Sequence, residues 1–132
     1  MDARIRIGLL TALLGAALSG QSAAQAADSL PPGVTPALIE AGRKVYSGAG
    51  LCFACHGPAG KGTVGANLTD GEWAHGDGSL DAILRTIIQG VPAAQATNKV
   101  AMPPKGGAKL NDGQARAVAA YVWSFRLRAS GR

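Results

Sequence analysis

Apolar positions along the chain recur at helical spacing in three runs, and glycine-rich stretches without any periodicity separate them. Thr35-Pro36 opens the first run as a threonine cap followed by proline at the first helical position. This predicts a helix to about Ser47, ended by Gly48-Ala49-Gly50, with Leu38, Ala41, Gly42, Val45 and Tyr46 on one face. Gly42 lies one turn before Tyr46, so a second backbone is expected to approach there beside an aromatic ring. Ser79 caps the second run, and Asp81 sits favourably in its first turn. Leu80, Ile83, Leu84, Ile87 and Ile88 form its apolar stripe, stopped by Gly90 and Pro92. The third run starts near Asn111 or Asp112 and reaches about Leu127, with Ala115, Val118, Ala119, Val122 and Phe125 along one side. Leu51 to Gly78 reads as a wrapped loop with short turns at most, and Val91 to Lys109 is irregular around Met102-Pro103-Pro104 and Gly106-Gly107. No stretch alternates as a strand does. The expected fold is all-α.

The first 26 residues have the features of an export signal. Arg4 and Arg6 supply a positive start, Ile7 to Leu18 an apolar run, and Ala24-Gln25-Ala26 small residues at the cleavage positions. Twelve helical residues cover roughly 18 Å, short of the ~30 Å a membrane anchor needs. Cleavage after about Ala26 would shorten the chain from 132 residues by 26 to 106, with a lead-in over 27–33 and a single domain over 34–130. The charge would fall from 13 basic and 8 acidic residues to 11 and 7, a net of +4. That balance is too mild and scattered to suggest nucleic acid. With 19 glycines and two phenylalanines, the domain has a thin core of its own and calls for a staple or a bound cofactor.

Candidate chemistry is concentrated in Leu-Cys-Phe-Ala-Cys-His, residues 51–56. Three readings compete for Cys52, Cys55 and His56. A redox disulfide belongs at a helix start in a strand–helix–strand setting, and no strands are expected here. Structural zinc needs four ligands, while the only other histidine, His75, lies in a distant glycine-rich loop. Covalent haem attachment through both cysteines, with His56 delivered to the iron, satisfies the spacing best. For the second axial position, Met102 is the only methionine apart from Met1 and sits in a stiff Pro/Gly loop. His/Met ligation is a known haem arrangement, and His75 is the competing donor. The bland readings are a core-filling methionine and a surface loop histidine bonded to a backbone carbonyl.

In order along the chain, Gly42 and Tyr46, Cys52-x-x-Cys55-His56-Gly57, Asn67-Leu68-Thr69, Ile87-Ile88-x-Gly90, Ala101-Met102-Pro103 and Ala120-Tyr121-Val122-Trp123 make residues 34–128 resemble a small bacterial class I cytochrome c. The resemblance implies a cytochrome c fold: three to four short helices and irregular loops wrapped round one covalently bound haem c. It implies that the first and last helices cross at Gly42, Tyr46 and Tyr121. It implies Leu68, Ile87, Ile88 and Val100 around the haem, Trp73 either reaching a propionate or simply packing, and Lys61, Lys99 and Lys105 near an exposed edge or merely solvated. Ala66 stands where many members carry a proline whose carbonyl accepts the histidine Nδ1–H. The acceptor remains while its rigid support is lost, so the potential is expected to depart from the family norm.

An iron with both axial positions filled by protein has no vacant place for a reactant. The expected function is therefore a soluble, monomeric periplasmic electron carrier, not an enzyme and without a membrane span, exchanging electrons with redox-partner proteins. Arg126, Arg128, Arg132 and the lysines point to acidic partner surfaces. Two alternatives stand beside it: a tightly bound cytochrome subunit of a larger dehydrogenase or oxidase, and a haem enzyme or gas sensor with a labile distal ligand.

Overall fold

The computed structural model describes residues 30–129. The expected leader, the first three residues of the lead-in and the last three residues of the chain lie outside the described residues. Five helical segments and one 3₁₀ turn follow in order: α1 (Pro36–Ser47), α2 (Cys52–His56), α3 (Leu80–Gln89), the turn Pro104–Gly107, α4 (Asp112–Trp123) and α5 (Phe125–Ala129). No strand occurs among the described residues, and one isolated antiparallel bridge joins Val91 to Met102. The fold is all-α, as the patterning predicts.

Local chemistry sets the helix ends. The Thr35 hydroxyl accepts from the Leu38 N–H at 3.1 Å, and Ser79 accepts from Ala82 at 3.2 Å. Asn111 and Gln114 exchange side-chain and backbone bonds in a reciprocal cap, at 2.9 and 3.0 Å. Gly48 and Gly90 end α1 and α3 at the expected places. The third helix, expected unbroken to Leu127, is interrupted at Ser124. Its hydroxyl donates to the Tyr121 carbonyl at 2.6 Å, a bond back to the preceding turn that competes with the helical ladder.

α1 and α4 form the largest helix–helix contact, and Gly42 is the reason they come so close. A Cβ there would lie 2.8 Å from Tyr121 Cβ and nearer still to the Ala117 carbonyl. The buried residues of α1 are Gly42 and Tyr46, with Leu38, Ile39 and Val45 half-buried against the core. Ala41, expected on this face, is exposed, because the helical phase that buries Gly42 turns its neighbour outward. α4 is buried almost all round, from Ala117 to Trp123, since α1 and α3 pack on it from different sides. Tyr46, Tyr121 and Phe125 meet edge to face, with ring centroids 5.2, 6.1 and 4.9 Å apart. Tyr46 is fully buried and donates its phenol proton to the Gly57 carbonyl at 2.7 Å, while burial pushes its pKa well above the usual tyrosine range.

Gly42→Ala separates helix propensity from packing by sign. Propensity alone favours alanine by about 1 kcal/mol, whereas forcing a methyl into this contact costs ~1–3 kcal/mol. Chemical denaturation is expected to show a lowered midpoint with an unchanged slope.

Candidate functional site

The short helix α2 presents Cys52 and Cys55 three residues apart, hence on one side of a single turn. The two are not joined to each other. Cys52 is half-buried, with burial pushing its thiol pKa up, and Cys55 is exposed. The backbone that follows folds back over this turn. The Cys55 carbonyl accepts from the Thr63 N–H at 3.1 Å, the Gly65 N–H at 2.8 Å and the Thr63 hydroxyl at 2.7 Å. The His56 carbonyl accepts from Gly62 at 2.8 Å. Gly65 lies so close to the imidazole that a Cβ would sit 2.9 Å from His56 Cε1.

His56 Nδ1 is 2.8 Å from the Ala66 carbonyl. A carbonyl only accepts, so Nδ1 carries the proton and Nε2 keeps its lone pair for a metal. Alanine in place of the family's usual proline leaves this bond intact. It is a main-chain acceptor, and the bonds around Cys55 and His56 hold its loop without a pyrrolidine ring.

Met102 is fixed through its backbone. Its N–H donates to the Val91 carbonyl at 2.9 Å and its carbonyl accepts from the Val91 N–H at 2.8 Å. The segment can run this close to the end of α3 because Gly90, at φ 72°, has no side chain: a Cβ would lie 2.7 Å from Pro104 N and 2.9 Å from Pro103 C. Beyond the two prolines, Lys105 reaches back, its Nζ donating to the Leu110 carbonyl at 2.7 Å and lying 3.5 Å from Asp112. Lys105 therefore ties the Met102 loop to the start of α4 and is not a free cation at an exposed edge. Lys99 is exposed, and Lys61 lies in the cavity wall described next.

One cavity of about 690 Å³ brings most of the predicted site together, within the usual ~300–1,000 Å³ of cofactor pockets. Cys52, His56 and Met102 line it, as do Leu68, Trp73, Ile87 and Val100. Ile88 does not. It is 40% exposed, because Ile83 and Ile87, four residues apart, occupy the inward face of α3 and Ile88 falls one step round the helix. Cys55 is also outside the lining, and it is exposed. His75 does not lie out on the surface: it is half-buried and lines the same cavity. Ile83, Val91, Val118 and Val122 complete the apolar wall, together with Tyr46. Sequence reasoning assigned Tyr46, Ile83, Val118 and Val122 to an ordinary core. Their helical phase marked them as buried but not as facing a cofactor.

The donor set suits a haem and does not suit zinc. Among the described residues no group of three or more His, Cys, Asp or Glu side chains is placed to hold a metal ion. An imidazole with Nδ1 engaged, a thioether on a pinned segment, a thiol beside them and a largely aliphatic wall fit an iron porphyrin.

Comparison with known proteins agrees. Residues 37–122 match the family described as cytochrome c oxidase, cbb3-type, subunit III. The cbb3-type cytochrome c oxidase subunit FixPc of Rhizobium leguminosarum bv. viciae is 44% identical over 77 residues, covering 56% of this chain and 26% of that protein. The CcoP subunit of Rubrivivax gelatinosus is 40% identical over 78 residues, covering 57% of this chain and 23% of that protein. The chain thus spans only about a quarter of the length of these curated relatives. No solved structure matches it significantly. The chain belongs to the cbb3-type cytochrome c oxidase subunit III family and is a small monohaem class I cytochrome c, an electron-transfer protein with covalently bound haem c.

Proposed function

We propose that this chain is the electron-transferring cytochrome module of a terminal oxidase assembly, accepting one electron at a time and passing it to a neighbouring redox centre. The observation that carries the reading is the single apolar cavity on which His56, with Nδ1 engaged, and Met102, pinned by Val91, both converge. Cys52 and Cys55 would hold the haem through thioether bonds, and His56 and Met102 would be the donors to its iron. The haem supplies the iron(II)/iron(III) couple. The chain's residues keep both donors in place whichever state the iron is in: main-chain hydrogen bonds fix the two segments, so neither donor has to be recruited. The aliphatic walls and the weakly donating thioether favour the reduced state. With His56 and Met102 both engaged, the iron would offer no seat for a reactant, and the catalytic step would belong to the partner.

The names of the relatives favour an oxidase-bound module over a free carrier. No helix of the described residues is long and apolar enough to cross a membrane. The second reading, a free periplasmic carrier, draws on the leader-like residues 1–26, which predict export. Both readings put the protein on the periplasmic side, an oxidising compartment in which a free thiol pair would not be left alone.

Two measurements check this. The exported protein is expected to show a low-spin spectrum whose haem stays with the chain on denaturation. Met102→Ala is expected to lose the weak sulfur–iron(III) charge-transfer band, bind added cyanide quickly and fall in potential. An unchanged spectrum moves the axial role to another donor, His75 first, since it lines the same cavity. In the native host, a tagged chain is expected to co-purify with oxidase subunits at low salt. Recovery only as a free monomer at every ionic strength supports the free carrier instead.

A further inference from the structure

The wall of the cavity around Trp73 has little structure of its own. Residues 70–78 contain neither helix nor strand, and their local order comes from turns in which Asp70 accepts from the Glu72 N–H at 3.0 Å and Asp77 from the Ser79 N–H at 2.9 Å. Trp73 nevertheless faces the cavity, half-buried. Beside its packing against the core, Trp73 is held by a residue far along the chain. The Arg126 guanidinium on α5 lies 5.8 Å from the Trp73 ring centroid and 5.1 Å from that of Trp123, which is itself buried in α4. The same group donates a hydrogen bond to the Gly78 carbonyl, at the end of the Trp73 loop.

A flat cation touching two indole rings and bonded to one carbonyl fixes three things at once: the plane of Trp73, the end of its loop and the register of α5 against both. Lysine carries the same charge but has no planar fork, so it can satisfy the carbonyl without stacking on the rings. We propose that Arg126 is a positioning residue for the haem cavity, linking Trp73 through its guanidinium to the buried Trp123 and thereby setting the haem's redox equilibrium. The proposal rests on the reading of this cavity as the haem site. It gives the short α5 a function that its apolar packing does not: the C-terminal segment reports on, and acts on, the wall beside the cofactor.

The test compares the wild-type holoprotein with Arg126→Lys and Arg126→Gln by two readouts. One is the difference between oxidised and reduced forms in the Trp73 indole N–H resonance, identified by its loss in Trp73→Phe. That difference reports the indole's position relative to the iron and is unaffected by a loss of global stability. The other is the ratio of reduced to oxidised protein at a fixed applied potential. Both substitutions are expected to move the Trp73 signal and to lower the reduced fraction, the glutamine variant by at least about threefold in the ratio. A Trp73 signal unmoved in both variants overturns the proposal. So does an Arg126→Lys protein identical to wild type in both readouts, because charge alone would then suffice. Should Arg126→Gln fail to fold, the lysine variant decides by itself. A wild-type Trp73 signal indifferent to oxidation state would instead remove the haem from this cavity, a failure of the underlying reading that is distinct from the first two results.

Discussion

The close crossing of α1 over α4 at Gly42 is the contact from which the site is built. Because no side chain separates the helices there, Tyr46, one turn further along α1, is buried against Tyr121 and Phe125. Its phenol then has one acceptor within reach, the carbonyl of Gly57, directly after His56. A missing methyl group thus dictates where a phenol lies, and the phenol dictates where the backbone leaves the histidine. An unpaired phenol in this position would carry the desolvation cost of a buried polar group, roughly 1–3 kcal/mol, so the bond has little freedom to be made elsewhere.

The segments that carry His56 and Met102 are both held by main-chain hydrogen bonds. The His56 turn is covered by a loop whose N–H groups converge on the Cys55 and His56 carbonyls, and Met102 is paired with Val91 in both directions. Main-chain bonds of this kind depend on shape more than on side-chain identity. Ala66 illustrates the point: it lacks the ring of the family's usual proline, yet its carbonyl meets His56 Nδ1 at 2.8 Å. A site held in this way suits an electron-transfer protein. The donors are in place before the electron arrives, and little has to move when it leaves.

His75 changes how the cavity is viewed. Both histidines and the only methionine among the described residues line one space, and they differ in how firmly the backbone holds them. Met102 sits on a segment clamped by the Val91 bridge, Gly90 and the Lys105 bond to Leu110. His75 sits in a loop tied down by local turns, by the packing of Trp73 and by Arg126 at its far end. The stiffer segment is the better source of a ligand that must keep its place in two oxidation states.

Much of this was legible in the one-dimensional pattern. Caps at Thr35, Ser79 and Asn111, with glycines after α1 and α3, mark helix ends by local hydrogen bonding and backbone freedom, which depend on neighbours a few residues away. The spacing of Cys52, Cys55 and His56 likewise names a chemistry, because the geometry it demands is that of one helical turn. The folded chain alone decided what long-range packing controls. Ile83 and not Ile88 faces the cavity, Ala41 is exposed, and Lys105 is spent on Leu110, because each outcome turns on rotation by one residue or on how an aperiodic loop folds back on itself. The same holds for the placing of His75 in the cavity wall and of Arg126 beside Trp73 and Gly78: in a loop without periodicity, direction is set by whatever packs against it, and residues 48 or more apart in the chain meet only after folding.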